Sequence, residues 1–112
     1  MLGIVYLASP FSHANPIVRE ERFRRVCRHA AAMMKAGRVV FSPIVHNHPV
    51  AKEHDLPRGW GFWSRMDEPF LRVADEVVVL QLPGWEISKG VQAEIALAKR
   101  LGIPVSYEDE SP

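Results

Sequence analysis

Val77-Val78-Val79-Leu80, continued by Gln81-Leu82-Pro83-Gly84 and then by Ser88-Lys89-Gly90-Val91-Gln92-Ala93-Glu94-Ile95-Ala96, decides the fold of this chain. A continuous β-branched run calls for apolar surroundings on both faces, as in the middle of a parallel sheet. Pro83-Gly84 breaks that run, Ser88 has the chemistry of a helix cap, and an Ala-rich helix follows. The unit reads as a buried parallel strand feeding a helix. In open α/β sheets, ligands bind beyond the carboxyl ends of such strands. With Val91 at the origin, Ile95 falls at roughly 40° and Ala98 at roughly 340°, so both share its face. Glu94 falls at roughly 300°, on the edge of the stripe rather than on the solvated side. A carboxylate half turned toward the sheet at that crevice is a candidate nucleophile or base. The alternative is a helix-edge Glu paired with Lys99 or Arg100.

Working outward, Gly3-Ile4-Val5-Tyr6-Leu7-Ala8 reads as a first strand, ended by Ser9-Pro10. Asn15-Pro16 is a helix start, with Asn as cap and Pro in the first helical position. Val18, Phe23, Val26, Cys27, Ala30, Met33 and Met34 then carry a helical stripe to a stop at Gly37. A second strand is expected over 38–42. The stretch 43–61 holds three prolines, two glycines, His46, His48 and His54, and is expected to be irregular. A helix from about Trp60 to Ala74, a third strand over 76–82, a helix over 88–101 stopped by Gly102, and a last strand over 104–107 complete the chain. The tail from 108 to 112 is expected to fray. Strands alternating with helices imply an α/β fold with a small parallel sheet between two helix layers. A single domain over 1–112 is expected. Four strands are few for such a sheet, so helix surface should be left for a partner subunit.

Composition narrows the function classes. The chain has 112 residues, enough for one modest core, and 47% hydrophobic with 24% charged residues is ordinary for a globular domain. A net charge of +1 lacks the basic excess of a dedicated nucleic-acid binder. Arg19, Arg22, Arg24, Arg25 and Arg28 cluster, but Glu20 and Glu21 interrupt them, and they read mainly as a solvated helix face. The one cysteine, Cys27, excludes an intrachain disulfide. No apolar run approaches membrane-spanning length, so no membrane partner and a cytoplasmic location are expected.

Several residues bear on chemistry. Asp67 shares a helix face with Trp63, Met66, Phe70 and Leu71; apolar surroundings there would raise its pKa and suit it to donate a proton. The alternative is local pairing with an arginine. Asp75, just before the third strand, reads as a turn residue. Tyr6 near the end of strand one is placed to satisfy its hydroxyl on a carboxylate such as Glu94. Ser9, Ser12 and His13 in the loop after the first strand, with Ser88 and Gly90 at a helix start, suit an anion such as a phosphate. Neither a P-loop nor a Rossmann glycine fingerprint is present, so no bound ATP or NAD cofactor is expected. His46-Asn47-His48 with His54-Asp55 fits no standard zinc spacing, so no metal is expected, and His48 is read instead as facing a substrate.

Taken together, Tyr6-Leu7-Ala8-Ser9-Pro10-Phe11, the Asp67 and Asp75 pair, and Ser88-x-Gly90-x-x-x-Glu94 resemble the nucleoside 2-deoxyribosyltransferase superfamily, including its nucleoside 5′-monophosphate N-glycosidases. Val39-Val40-Phe41-Ser42, His48-Pro49 and Leu82-Pro83-Gly84-Trp85 extend the resemblance, which is nearest to a small bacterial and phage branch. It implies a flavodoxin-like (Rossmann-like) three-layer sandwich and a homodimer or higher homo-oligomer. It implies Glu94 as nucleophile at the anomeric carbon, Tyr6 holding it, and Asp67 handling the proton at the base. The transferases carry an aspartate six residues before the nucleophile, where this chain has Ser88. The monophosphate hydrolases are serine-like there and use the hydroxyl on the 5′-phosphate, so a nucleotide rather than a nucleoside is implied. The first loop departs from the pattern, with Pro10 and His13 in place of a glycine and a basic residue. A neighbouring subunit's polar residue, here Ser106, completes the transferase site. The resemblance thus implies an N-glycosidase of a (2′-deoxy)nucleoside 5′-monophosphate or a related transferase. A nucleotide-binding module without turnover, and a hydrolase of another N-glycoside such as an NAD-derived metabolite, are the alternatives.

Overall fold

A computed structural model describes residues 3–112. The elements are β1 (Ile4–Ala8), α1 (Pro16–Lys35), β2 (Val39–Phe41), α2 (Pro43–His54), α3 (Trp60–Arg72), β3 (Glu76–Leu80), a 3₁₀ turn (Trp85–Ile87), α4 (Lys89–Leu101) and β4 (Val105–Glu108). The strands form one sheet in the order β2-β1-β3-β4, and every pairing is parallel. This is the α/β, flavodoxin-like sandwich expected from the sequence.

The strands' period of two sorts the core into two layers. Tyr6, Ala8, Val77 and Val79 face Leu71 of α3 and Val91, Ile95 and Ala98 of α4. Val5, Leu7, Val78 and Leu80 face Val26, Ala30 and Met33 of α1. The chain leaves β1 for β2 on one side and returns for β3 on the other, so the strand order reverses between β1 and β3. A crevice opens at such a reversal, beyond the strands' carboxyl ends.

Three expectations are corrected. The stretch 43–61 is not irregular: α2 occupies Pro43–His54, Ser42 caps it by accepting a hydrogen bond from Val45 N at 3.2 Å, and Pro43 fills the first turn. Pro49 lies in the middle of that helix, where it removes the one N–H that would bond the carbonyl of Val45. The third strand ends at Leu80, where the chain turns into the loop before the 3₁₀ turn. The tail does not fray. Arg25 grips Glu110 through two hydrogen bonds of 2.6 Å, Arg38 bonds Glu108 at 2.7 Å, and Ser111 donates its backbone N–H to His29 Nδ1 at 3.1 Å. Asp75 acts locally, accepting from Ile4 N at 2.6 Å.

Candidate active site

At the strand reversal lies a cleft of about 1070 Å³. Its walls come from the β1–α1 loop, α1, α2, α3 and the start of α4, and both singled-out carboxylates, Asp67 and Glu94, line it.

Glu94 sits in the second turn of α4 and is buried, 5% exposed. The Tyr6 hydroxyl, fully buried on β1, donates to Glu94 Oε2. Neither Lys99 nor Arg100 pairs with it. Burial pushes the Glu94 carboxyl up to about 8; the Tyr6 hydrogen bond opposes this and the Asp67 charge reinforces it. Burial, with the Glu94 charge beside it, drives the Tyr6 phenol upward, so Tyr6 stays a protonated donor. Tyr6 is outside the cleft lining and supports Glu94 from behind.

Asp67 comes from the inward face of α3 and is also 5% exposed. Trp63 shares the cleft wall, whereas Met66 is 44% exposed and Phe70, 46% exposed, stacks on Phe41 of β2 with ring centroids 4.3 Å apart. Burial raises the Asp67 carboxyl to about 6, against the pull of Asn47 and His46. Its partner is Asn47 of α2, which donates from Nδ2 to Oδ1 at 2.7 Å, rather than an arginine.

Each carboxylate therefore has one oxygen tied and one unpartnered. Among the described residues, the buried side-chain polar atom lacking both solvent contact and a partner is Ser9 Oγ. Asp67 Oδ2 and Glu94 Oε1 are outside that class and accordingly keep contact with the cleft space. Two carboxyls held close enough to influence one another, each with a free oxygen toward one crevice and each hard to ionise, can share acid and nucleophile roles.

The remaining singled-out residues converge on the same cleft. Ser9, Ser12, His48, Ser88 and Gly90 all line it. Ser88 caps α4, its Oγ accepting from Val91 N at 3.3 Å. The orphaned Ser9 hydroxyl is a costly group to bury unless a ligand completes it. His48 is less free than expected: its ring is packed between Phe11 and Phe23, with centroids 4.7 and 4.8 Å away, and its Nε2 lies 2.8 Å from Glu20 Oε2. Ser106 is exposed on β4 and does not line the cleft of its own chain.

Sequence reasoning missed Asn47, hidden in a stretch read as irregular, and misjudged two arginines. Arg19 and Arg22 turn to the cleft rather than to bulk solvent. Arg22 bridges the loops after β1 and β3, donating to Ser12 O at 2.9 Å and to Pro83 O at 3.3 Å. Burial, and secondarily Arg25, lowers its pKa. Gly84 makes room for the bridge: its φ is +94°, and a Cβ there would meet Arg22 Nη2 at 3.0 Å. The arginines' position in the first two turns after the strand-one loop was the signal available. No cluster of three or more metal-ligating side chains occurs among the described residues, and no helix among them is long and apolar enough to cross a membrane.

Comparison with known proteins supports the architecture. The structure is similar to that of a 2-deoxyribosyltransferase from the psychrotolerant bacterium Bacillus psychrosaccharolyticus, with a TM-score of 0.64 and 24% identity, covering 95% of this chain and 72% of that one. At that identity the likeness establishes a shared fold, the one the sequence motifs implied. No curated protein matches the sequence significantly. Residues 3–110 match the family described as Domain of unknown function (DUF1937), and the chain belongs to that family.

Proposed function

We propose that this protein cleaves the N-glycosidic bond of a (2′-deoxy)nucleoside 5′-monophosphate, or transfers the deoxyribosyl group in a related reaction, with Glu94 as nucleophile. The observation that carries the reading is the pair of buried carboxyls, Asp67 and Glu94, each with one oxygen tied and one open to the same cleft. Glu94 Oε1 attacks the anomeric carbon as the bond to the base breaks. The electron pair leaves with the base, which takes the proton of Asp67. Water, or a second base, then attacks the same carbon, gives its proton to the Asp67 carboxylate and releases Glu94. Tyr6 fixes the attacking carboxylate throughout.

The monophosphate is favoured by other groups that line the same cleft. The Ser9 hydroxyl lacks a partner, the α4 N-terminus begins at Ser88, and Arg19 and Arg22 supply positive charge that the first loop lacks. No bound cofactor takes part in the proposed chemistry. The proposal includes a homo-oligomer, because Met66, Phe70 and Val73 form an exposed apolar stripe on and just beyond α3.

The test is a panel of nucleosides and their 5′-monophosphates assayed for free base, with Glu94→Gln as control. A nucleotide should release base at least about a hundredfold faster than its nucleoside, the worth of two or more charge-assisted hydrogen bonds. Glu94→Gln should bind the nucleotide yet lose on the order of 10³-fold in rate. Nucleotide binding by wild type without any base release would favour the non-catalytic module.

A further inference from the structure

Asn47 is held at both ends of its side-chain amide. Its Nδ2 donates to Asp67 Oδ1 at 2.7 Å, and its Oδ1 lies 2.8 Å from His46 Nδ1. With the amide nitrogen committed to Asp67, its oxygen must accept, so His46 Nδ1 carries the hydrogen. The amide thus has a partner at each end, and its orientation is set. It comes from α2, so it also couples that helix to α3 across the cleft.

We propose that Asn47 is a positioning residue for the proton donor: its amide occupies Asp67 Oδ1, forcing the transferable proton onto Oδ2, the oxygen open to the cleft. This rests on the reading of Asp67 as the acid. A protonated carboxyl carries a single O–H, and its carbonyl oxygen is the better acceptor, so the Asn47 N–H on Oδ1 favours Oδ1 as the carbonyl. The proton therefore resides on Oδ2. The same hydrogen bond favours the ionised form of Asp67 after the proton has left, so the amide also sets how readily the acid gives it up. The charged and titratable groups facing Asp67 are Glu94 of α4, Tyr6 of β1 and His46 of α2, with Glu68 beside it on α3. Burial works against ionisation, and Asn47 is the foremost group working for it.

The experiment follows the Asp67 carboxyl carbon by ¹³C NMR titration, with Asp67→Asn assigning the resonance, alongside the pH dependence of base release. Asn47→Leu removes the donor at similar volume, so the Asp67 midpoint should rise by roughly one pH unit. In the same variant kcat should fall about tenfold or more with KM little changed, because the proton is no longer confined to the productive oxygen. Asn47→Asp keeps the shape and serves where the leucine variant does not fold. There two carboxyls share one proton, so the upper titration step should lie above the wild-type value. An unmoved Asp67 midpoint in either folded variant overturns the proposal. A moved midpoint in a protein that releases no base from any nucleotide leaves the positioning intact and removes the proposed reaction. Base release with an unmoved midpoint does the reverse.

Discussion

Glu94 and Asp67 are carboxyls held in surroundings that resist their charge, and this has opposite consequences for catalysis and for stability. The proposed reaction needs one proton on the pair: Asp67 protonated and Glu94 ionised. Because burial raises both carboxyls, Glu94 to about 8 and Asp67 to about 6, and the Asp67 charge reinforces the rise at Glu94, the pair holds one proton between its two titration steps. The rate should follow a bell with limbs near those two values, belonging to the pair rather than to either residue. Asp67→Asn should abolish the alkaline limb, leaving a rate that climbs with pH as Glu94 ionises. Its loss should be greatest for bases that leave poorly and partly rescued with an activated base. Equal losses on both substrates would show that Asp67 donates no proton. On stability the sign is reversed from the usual carboxylate. A folded-state value above the unfolded one favours folding only while the group is protonated, so stability declines as pH rises from the ordinary glutamate range toward about 8. Glu94→Gln removes that penalty, roughly 3 kcal/mol at pH 7. Its melting temperature should exceed wild type at pH 8 and converge with it at pH 4. A variant no more stable than wild type at pH 8 would mean that Glu94 is ionised without cost.

Among the elements, α2 matters most, because it brings Asn47 and His48 to the cleft. Its start repeats the signal that opens α1: Asn15-Pro16 there, Ser42-Pro43 here, each a polar cap followed by proline in the first turn. The first pair was legible because a long apolar stripe followed it. The second was not, because Pro49 and an almost uniformly mixed sequence gave no helical face to recognise. What holds α2 is contact with neighbours: Val45 packs into the α1-side core, His48 lies between Phe11 and Phe23, and Asn47 reaches Asp67. Ser42→Ala should cost about 1 kcal/mol of unfolding free energy in a denaturant melt, the worth of a buried cap. It should also weaken nucleotide binding, since the helix start sets where Asn47 sits. Unchanged stability would show that tertiary packing alone fixes the start of α2.

At the scale of the molecule, the ionic groups divide by location. Glu20, Glu108 and Glu110 lie below the ordinary glutamate range. His48 and Lys52 hold Glu20 there; Arg38 and His29 outweigh burial at Glu108; Arg25 and Arg28 hold Glu110. Their contribution is present above the unfolded glutamate value and lost as pH falls through their folded values. The cleft carboxyls lose stability in the other direction. Wild-type stability should therefore peak on the mildly acidic side of neutrality, and a thermal scan across pH that peaks above pH 8 would contradict this balance. The tail contributes directly, since Glu110 and Ser111 close over Arg25 and His29 on α1. Ending the chain after Glu108 should lower stability by about 1–2 kcal/mol, part of it salt-sensitive because the pair is partly exposed. An unaltered melting temperature would return the tail to the frayed segment the sequence suggested.

The sequence by itself determined the parallel sheet, the strand-to-helix unit around Glu94 and the identity of the cleft carboxyls. These rest on short-range periodicity: β-branched runs have a home between two helix layers, and a helix stripe states which side is buried. Its angular reading put Glu94 only at the edge of that stripe. The tertiary structure decided that the edge is buried against the sheet, because Tyr6 on a different element closes over one of the carboxylate oxygens. It also decided that Asp67 answers to Asn47 rather than to an arginine, that Arg22 ties two loops at the cleft, and that the tail is docked. Each of these is a contact between residues distant along the chain, set by the reversal of strand order between β1 and β3. Local pattern reports how a segment folds; the packing of whole elements determines which side chains meet.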